Sequence, residues 1–354
     1  MVRGSRLSIY YRCDHATASK YRLNLRGPGF LFAPTSPKVA PYIACRWHRD
    51  VNAALGRDRK LDRKLLTRLA AVALFLGCAG GRAYGGSVTQ PGETLGAATG
   101  APAPPGVYLV NTSDWGCRST QPKDTCEGVT IPLIVWSTPW TVLGGRLQYA
   151  LAAPAVEVGV QDTTYISGWF NPYADIQLAW DLGRGWGASF LLGYYPDIAS
   201  RVAFSSATLN PRFALSYTGD HWNLTANVIF GYQFDQVTSR PQVSPCPVSP
   251  AFPSNGCNPH YMNIDLTATK TFGKWELGPV GYYSNDLSTP ISGYEKQSQF
   301  AIGGLVGYEF GPVILQAYVT TDVYQKNYGG YDTRGWVRII VPVGNAAATP
   351  TIAR

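Results

Sequence analysis

Nowhere does this 354-residue sequence carry an apolar run of 18 residues, so a membrane-spanning helix is not supported. Histidine is scarce: beyond residue 85 only His221 and His260 occur. Neither stands beside a G-x-S-x-G nucleophile motif, and no HExxH, P-loop or dinucleotide fingerprint is present. No catalytic residue, cofactor or metal is therefore assigned from the sequence. CxxC spacing is missing and no His adjoins a Cys, which disfavours a zinc site. Charge is thin as well, at 15% of residues, against 13% aromatics and 38 Gly. The formal net charge of +8 misleads, because its positive excess sits at one end. Residues 1–85 hold sixteen Lys and Arg against four Asp and Glu, while residues 86–354 hold fourteen against eighteen. The body of the chain is mildly acidic, which gives a nucleic-acid partner no footing.

What is present near the start is a secretory pattern. Arg59–Arg68, RKLDRKLLTR, is a positive n-region, and Leu69–Leu76, LAAVALFL, is an apolar stretch of signal-peptide size. Ala83 and Gly85 supply small residues for cleavage near Gly85. Residues 59–85 are thus expected to form a signal peptide. Residues 1–58 lack clear periodicity and read as a disordered leader, with the true start further along, at Val51 or a Leu near position 65.

The most informative stretch is His221–Asp235, HWNLTANVIFGYQFD. Trp222, Leu224, Ala226, Val228, Phe230, Tyr232 and Phe234 fall on one side. His221, Asn223, Thr225, Asn227, Gln233 and Asp235 fall on the other. A period of two means one β-strand with an oily and a wet face. Soluble strands run about 5–6 residues, whereas a tilted membrane-crossing strand needs about 9–11. Aromatics at both ends of the oily face fit the girdles of two membrane interfaces.

About twelve such runs divide the chain: 105–113, 129–138, 145–157, 168–180, 185–196, 208–218, 221–235, 260–271, 274–284, 297–309, 312–324 and 333–343. Tight connections follow the even runs and longer ones the odd runs. That alternation predicts an all-β fold, a transmembrane antiparallel up-and-down β-barrel of about 12 strands over residues 105–343. An even number places both termini on the short-turn, periplasmic side. Residues 86–104 are then expected to be an N-terminal periplasmic segment, and 344–354 a C-terminal tail. The chain ends in VRIIVPVGNAAATPTIAR rather than on a terminal aromatic. Cys117/Cys126 and Cys246/Cys257 form two local couples, each closing a short polar loop on the long-loop side. Two such disulfides fit an oxidising compartment.

Charges set the registers. Arg on the lipid side at the midplane would cost about 2–4 kcal/mol, so Arg212 should face the lumen with Asn210 and Ser216. The same rule turns inward Tyr173, Asp175 and Gln177, against Phe170, Ile176, Leu178 and Trp180 outward. It also turns inward Asn223, Thr225 and Asn227; Asn263, Asp265 and Thr267; Gln299 and Glu309; Gln316, Tyr318 and Asp322; and Arg334 and Arg338. These charges either pair and close the barrel or line an open, selective channel. Twelve strands enclose much less space than the 16–18 of open porins.

Short motifs running from Pro104-Pro105-Gly106-Val107-Tyr108 through Asn171–Trp180 to Trp222 follow one another in an order that resembles one family of outer-membrane proteins, that of the MetA pathway of phenol degradation. The resemblance rests on Pro104-Pro105-Gly106-Val107-Tyr108, on Thr138-Pro139-Trp140 with Leu143-Gly144-Gly145, and on Asn171–Trp180, NPYADIQLAW. Asn210-Pro211 leading through Leu215-Ser216-Tyr217 to Trp222 completes it. It covers roughly residues 95–343 and implies a barrel acting in uptake of small hydrophobic or aromatic compounds. The expected partners are outer-membrane lipid and such a solute; the oligomeric state is left open. Tyr173, Gln177, Gln316 and Tyr318 would hold a solute weakly enough to release it. Two other readings are an outer-membrane enzyme acting on lipid through His221 or His260, and a structural or adhesive barrel with a closed lumen.

Overall fold

The computed structural model describes residues 87–343, apart from 122, 162, 199, 205, 235–258 and 290–294. The strands are β1 (Gly106–Arg118), β2 (Thr125–Val142), β3 (Gly145–Ala152), β4 (Ala155–Val160), β5 (Thr164–Trp169), β6 (Tyr173–Gly183) and β7 (Trp186–Tyr195). They continue with β8 (Thr208–Tyr217), β9 (Trp222–Gln233), β10 (Tyr261–Phe272), β11 (Trp275–Asp286), β12 (Ser298–Phe310), β13 (Val313–Lys326) and β14 (Asp332–Val343). All pairings are antiparallel between neighbours. β1 also pairs with β14, Val107 opposite Val343 through Arg118 opposite Asp332, so the sheet closes on itself.

Fourteen strands make twelve staves, because two staves are broken. β2 pairs with β3 through its second half and with β4 through its first. β3 and β4 are therefore one stave, interrupted at Ala153-Pro154. β5 and β6 are likewise one stave, pairing in turn with β4 and β3 and interrupted at Phe170–Pro172. Proline has no N–H for the ladder, so a break at each is its physical consequence. At the second break Asn171 replaces the lost ladder: its Nδ2 donates to the carbonyls of Pro196 and Phe204, and its Oδ1 accepts from the Phe204 N–H at 2.8 Å.

The turns on the periplasmic side are short and their backbone explains their sequence. Leu143 and Gly144 both have positive φ, 51° and 76°, the combination a type I′ hairpin needs. Gly273-Lys274 and Gly311-Pro312 put Gly at the first turn position, with φ of 63° and 68°, as a type II′ turn requires.

The alternation holds on the wall. Along β9, Leu224 and Tyr232 face outward and exposed, whereas Asn223, Thr225, Asn227, Ile229 and Gln233 are buried on the inside. Trp222 and Phe234 mark the two ends, both exposed.

Three expectations are corrected. Phe170 does not face lipid: it lies in the strand break, its ring 5.3 Å from Phe204 of the following loop. The Pro172 break resets the inward–outward phase there. Cys117 and Cys126 form the expected bridge and close the short β1–β2 turn, but from its base in the strands and not from within the loop. They stand directly opposite each other inside the β1–β2 ladder and are joined by a disulfide, because both strands run further outward than their alternation suggested. Residues 87–104 do not lie in the periplasm before the barrel. They run inside it. Cys246 and Cys257, by contrast, lie outside the described residues.

Candidate functional site

The lumen is the candidate site, and the wall places its sequence-predicted residues on the inward face. Tyr173, Arg212, Asn223, Thr225, Asn227, Asp265, Gln316, Tyr318, Asp322 and Arg338 are all buried. Asp175 and Glu309 are part-buried on the inward faces of β6 and β12, and Gln177 is part-buried with its amide engaged. They are brought together by a strand of chain that sequence reasoning placed elsewhere.

Residues 87–104 descend through the lumen in a series of tight turns before entering β1. Successive backbone bonds such as Glu93 N to Gln90 O, Leu95 N to Gly92 O and Ala97 N to Thr94 O shape them. Nearest the outer side, the Thr89 N–H and hydroxyl meet the Tyr261 hydroxyl at 3.1 and 2.8 Å. One turn lower, Asp265 accepts from Gly92 N and Thr94 N, both at 3.0 Å, and from the Thr94 hydroxyl at 2.6 Å. Three donors on one carboxylate make a strong local grip.

The bonds continue downward. Asn227 Nδ2 donates to the Thr94 hydroxyl, and Arg212 pairs with Glu93 at 2.8 Å. Arg338 donates to the carbonyls of Glu93 and Leu95, and Tyr318 to that of Gly92. The Gly96 carbonyl accepts from both Asn223 and Gln316. Near the periplasmic end, Gln177 and Ser189 donate to the Thr99 carbonyl, and Gly100 N donates to Ser216. A backbone cannot be buried without partners, and here the inward side chains supply them.

Two apolar clusters interrupt this polar column. Val88 packs with Tyr173, Tyr195 and Tyr261; Leu95 packs with Val280, Tyr282, Ala301, Leu305, Tyr318 and Trp336.

The outer mouth is built differently. Arg118 donates to Asp322 at 3.0 Å and to the Gln299 side-chain Oε1 at 2.8 Å. Arg334 bonds Asp332 at 3.0 Å, Glu127 at 3.3 Å and Asp114. These groups come from five neighbouring strands, β12, β13, β14, β1 and β2, and their charges pair along one side of the outer wall.

Several of these residues were not foreseen. Asp114, Glu127 and Arg118 fell beyond the expected ends of the first two strands. Glu276, fully buried and bonded to Thr269 and Gln316, sits on a strand whose alternation is poor. The segment itself had a signal that could have found it. Asp265, Asn227 and Asn223 face inward on adjacent strands with no cation between them, so their partners had to come from elsewhere.

The two histidines stand apart from this column. His221 lies in the β8–β9 turn with φ 65°, and His260 Nδ1 accepts from Gln233 N at 3.0 Å. Among the described residues no cluster of His, Cys, Asp and Glu is arranged to hold a metal. A hollow of about 500 Å³ is lined by outward side chains such as Leu215, Leu224, Leu266 and Ile302, and belongs to the lipid-facing surface.

Comparison with known proteins agrees with this architecture. An outer-membrane channel from Pseudomonas putida F1 superposes with a TM-score of 0.54 at 12% identity, over 72% of this chain and all of that one. The translocator domain of the autotransporter NalP from Neisseria meningitidis gives 0.39 at 11% identity, over 79% of this chain and 95% of its own. The NanC porin gives 0.40 at 9% identity, over 66% and 100%. At these identities the first shows the barrel fold, and the other two carry no argument. No curated protein matches the sequence. The family profile named for the MetA pathway of phenol degradation matches residues 116–339, more than half of the chain. A closed barrel whose outer wall is apolar and rimmed with aromatics spans the bacterial outer membrane, and the chain belongs to that family.

Proposed function

We propose that the protein is a passive channel for small hydrophobic or aromatic solutes, held shut in this conformation by residues 87–104. One observation carries the reading. The wall meets that segment through polar side chains along its length, amides, hydroxyls and tyrosines together with Asp265, Arg212 and Arg338, and such groups can exchange their partners for a solute or for water. Passage would be passive, since nothing in the sequence supplies an energy source. A deletion strain that took up labelled aromatic compounds at the wild-type rate would remove the support.

The reading gives neither histidine a catalytic role. His260 has its Nδ1 lone pair engaged by a backbone N–H, and His221 stands at a turn remote from the lumen column. Loss of lipid hydrolysis on replacing both would give them one.

A second reading, a structural barrel with a permanently closed lumen, is favoured by the paired charges at the outer mouth. Single-channel recording decides between them: gated conductance is expected of the channel, and none under any condition of the closed barrel.

A further inference from the structure

Leu95 is the one apolar side chain in the turn from Gly92 to Gly96, and it is fully buried against a niche in the lumen wall. The niche is built on β11 to β14. Tyr318 and Trp336 stack at 5.1 Å with their rings 13° from parallel. The Trp336 indole N–H donates to the Thr320 hydroxyl at 3.0 Å, which fixes the ring without help from Leu95. Tyr282 and Leu305 complete the bed.

Two glycines let the turn come down onto this bed. Gly92 and Gly96 have φ of 91° and 82°, and a Cβ at Gly92 would stand 2.8 Å from the Tyr282 ring. One at Gly96 would stand 2.5 Å from Leu305. The rim of the niche is polar and cationic. Arg338 and the Tyr318 hydroxyl aim their donors at the carbonyls of Glu93, Leu95 and Gly92.

The two halves of this contact differ in kind. Water can take over the hydrogen bonds of the segment, but it cannot replace Leu95, because an apolar cavity of this type stays dry and accepts small aromatics instead. An arriving molecule with a flat apolar body and one oxygen would satisfy both the bed and the freed donors.

We propose that the Leu95 niche is the solute site of the lumen and that Leu95 is the chain's own occupant of it. A monocyclic aromatic bearing one oxygen acceptor then competes with the turn Gly92–Gly96 for the same space. The proposal deepens the channel reading and rests on it.

The test uses the full mature chain in lipid nanodiscs, with 4-fluorobenzyl alcohol as probe and fluorine NMR as readout, empty nanodiscs correcting for partition into lipid. Leu95→Ala is expected to bind the probe saturably and at least about tenfold more tightly than wild type, since the competing occupant is gone. Leu95→Met, which keeps the niche filled, is expected to behave as wild type. Val88→Ala, which thins the segment at the other cluster, is expected to show no gain. The alcohol should bind several-fold more tightly than 4-fluorotoluene. Equal gains for Val88→Ala and Leu95→Ala would overturn the proposal. So would no gain in a Leu95→Ala protein that keeps its heat-modifiable migration on gels. Because binding is read on purified protein, it stands or falls separately from uptake: wild-type uptake in a deletion strain would defeat the channel reading while leaving a measured site in place.

Discussion

In the middle of the lumen the wall bonds to a segment that comes from before the first strand; at the outer mouth the wall bonds to itself. Asp265, Asn223, Asn227 and Gln316 spend their hydrogen bonds on Gly92–Gly96. Arg118 and Arg334 spend theirs on Asp322, Asp332 and Asp114, which are parts of the same sheet. The first closure can leave as one piece, and the wall behind it would remain a polar surface that water can wet. The second is carried by the strand ladders themselves and cannot leave without breaking them, whereas the first gives up one buried ion pair, Arg212–Glu93. A channel that opens should therefore do so by moving the segment, with the mouth kept as a rigid, charge-paired frame.

The largest expected effect comes from removing the segment. A chain lacking residues 87–102 should still fold into its barrel, because the strand ladders do not include those residues. In planar bilayers its conductance should rise by at least about tenfold over the wild-type level, as a filled lumen becomes a wetted one. If the truncated barrel conducts no better than the parent, the mouth alone closes the lumen and the contrast collapses.

Next is Arg334→Gln. It would leave Asp114, inaccessible to solvent, without its cation, and Asp332 with only Arg118 at 3.7 Å. Breaking a buried pair from one side costs about 3–5 kcal/mol, so the heat or urea midpoint of the folded barrel should fall. Conductance should stay unchanged, because the segment is still seated. An opened channel with unchanged stability would reverse the roles assigned to the two regions.

The same contrast explains what the sequence could and could not tell. The staves were legible because lipid imposes a strict rule on their outer face: Leu224, Tyr232 and Leu266 are exposed where alternation put them, and charges such as Arg212 and Arg338 had only one permitted side. The turns were legible because Leu143-Gly144 and Gly311-Pro312 carry their own backbone chemistry. The segment was not, because its inner position imposes no periodicity. A chain running down a polar lumen needs small residues and free backbone, and Gly92, Thr94 and Gly96 look the same in a linker. The mouth was half-legible. Asp322 and Arg334 sit in regular strands, but Asp114, Arg118 and Glu127 lie beyond the strand ends that alternation marked. The breaks at Pro154 and Pro172 were written in the residue type, and the runs drawn through them ignored it.

Asp265→Asn sharpens the comparison from the other side. The carboxylate accepts from two backbone N–H groups and one hydroxyl. An amide keeps the shape but loses the charge and presents a donor where acceptors are needed. Hydrogen bonds to a charged group contribute about 1.5–3 kcal/mol each, but water replaces part of that in the lumen, so a net loss of about 2 kcal/mol of segment binding is expected. The barrel's heat midpoint should barely move, and brief conductance events should appear. A large stability loss without such events would mean that Asp265 supports the wall rather than the segment.

The smallest effect should come from Cys117→Ser with Cys126→Ser. A disulfide stabilises mainly by restricting the unfolded chain, and the gain is smaller for shorter loops. This one spans a sequence separation of only 9 residues. The two positions already face each other in the β1–β2 ladder, and on their other sides Cys117 is held by β14 and Cys126 by β4. A loss of about 1–2 kcal/mol is therefore expected, at the low end of the usual range, seen as a reductant-sensitive part of the heat midpoint. Arg118 follows Cys117 directly, and it ties β1 to Asp322 and to the Gly330 carbonyl. Those bonds should keep the mouth in register without the bridge, leaving conductance unchanged. Reductant that opened the wild-type lumen would show instead that the bridge, and not the ion pairs, holds the mouth.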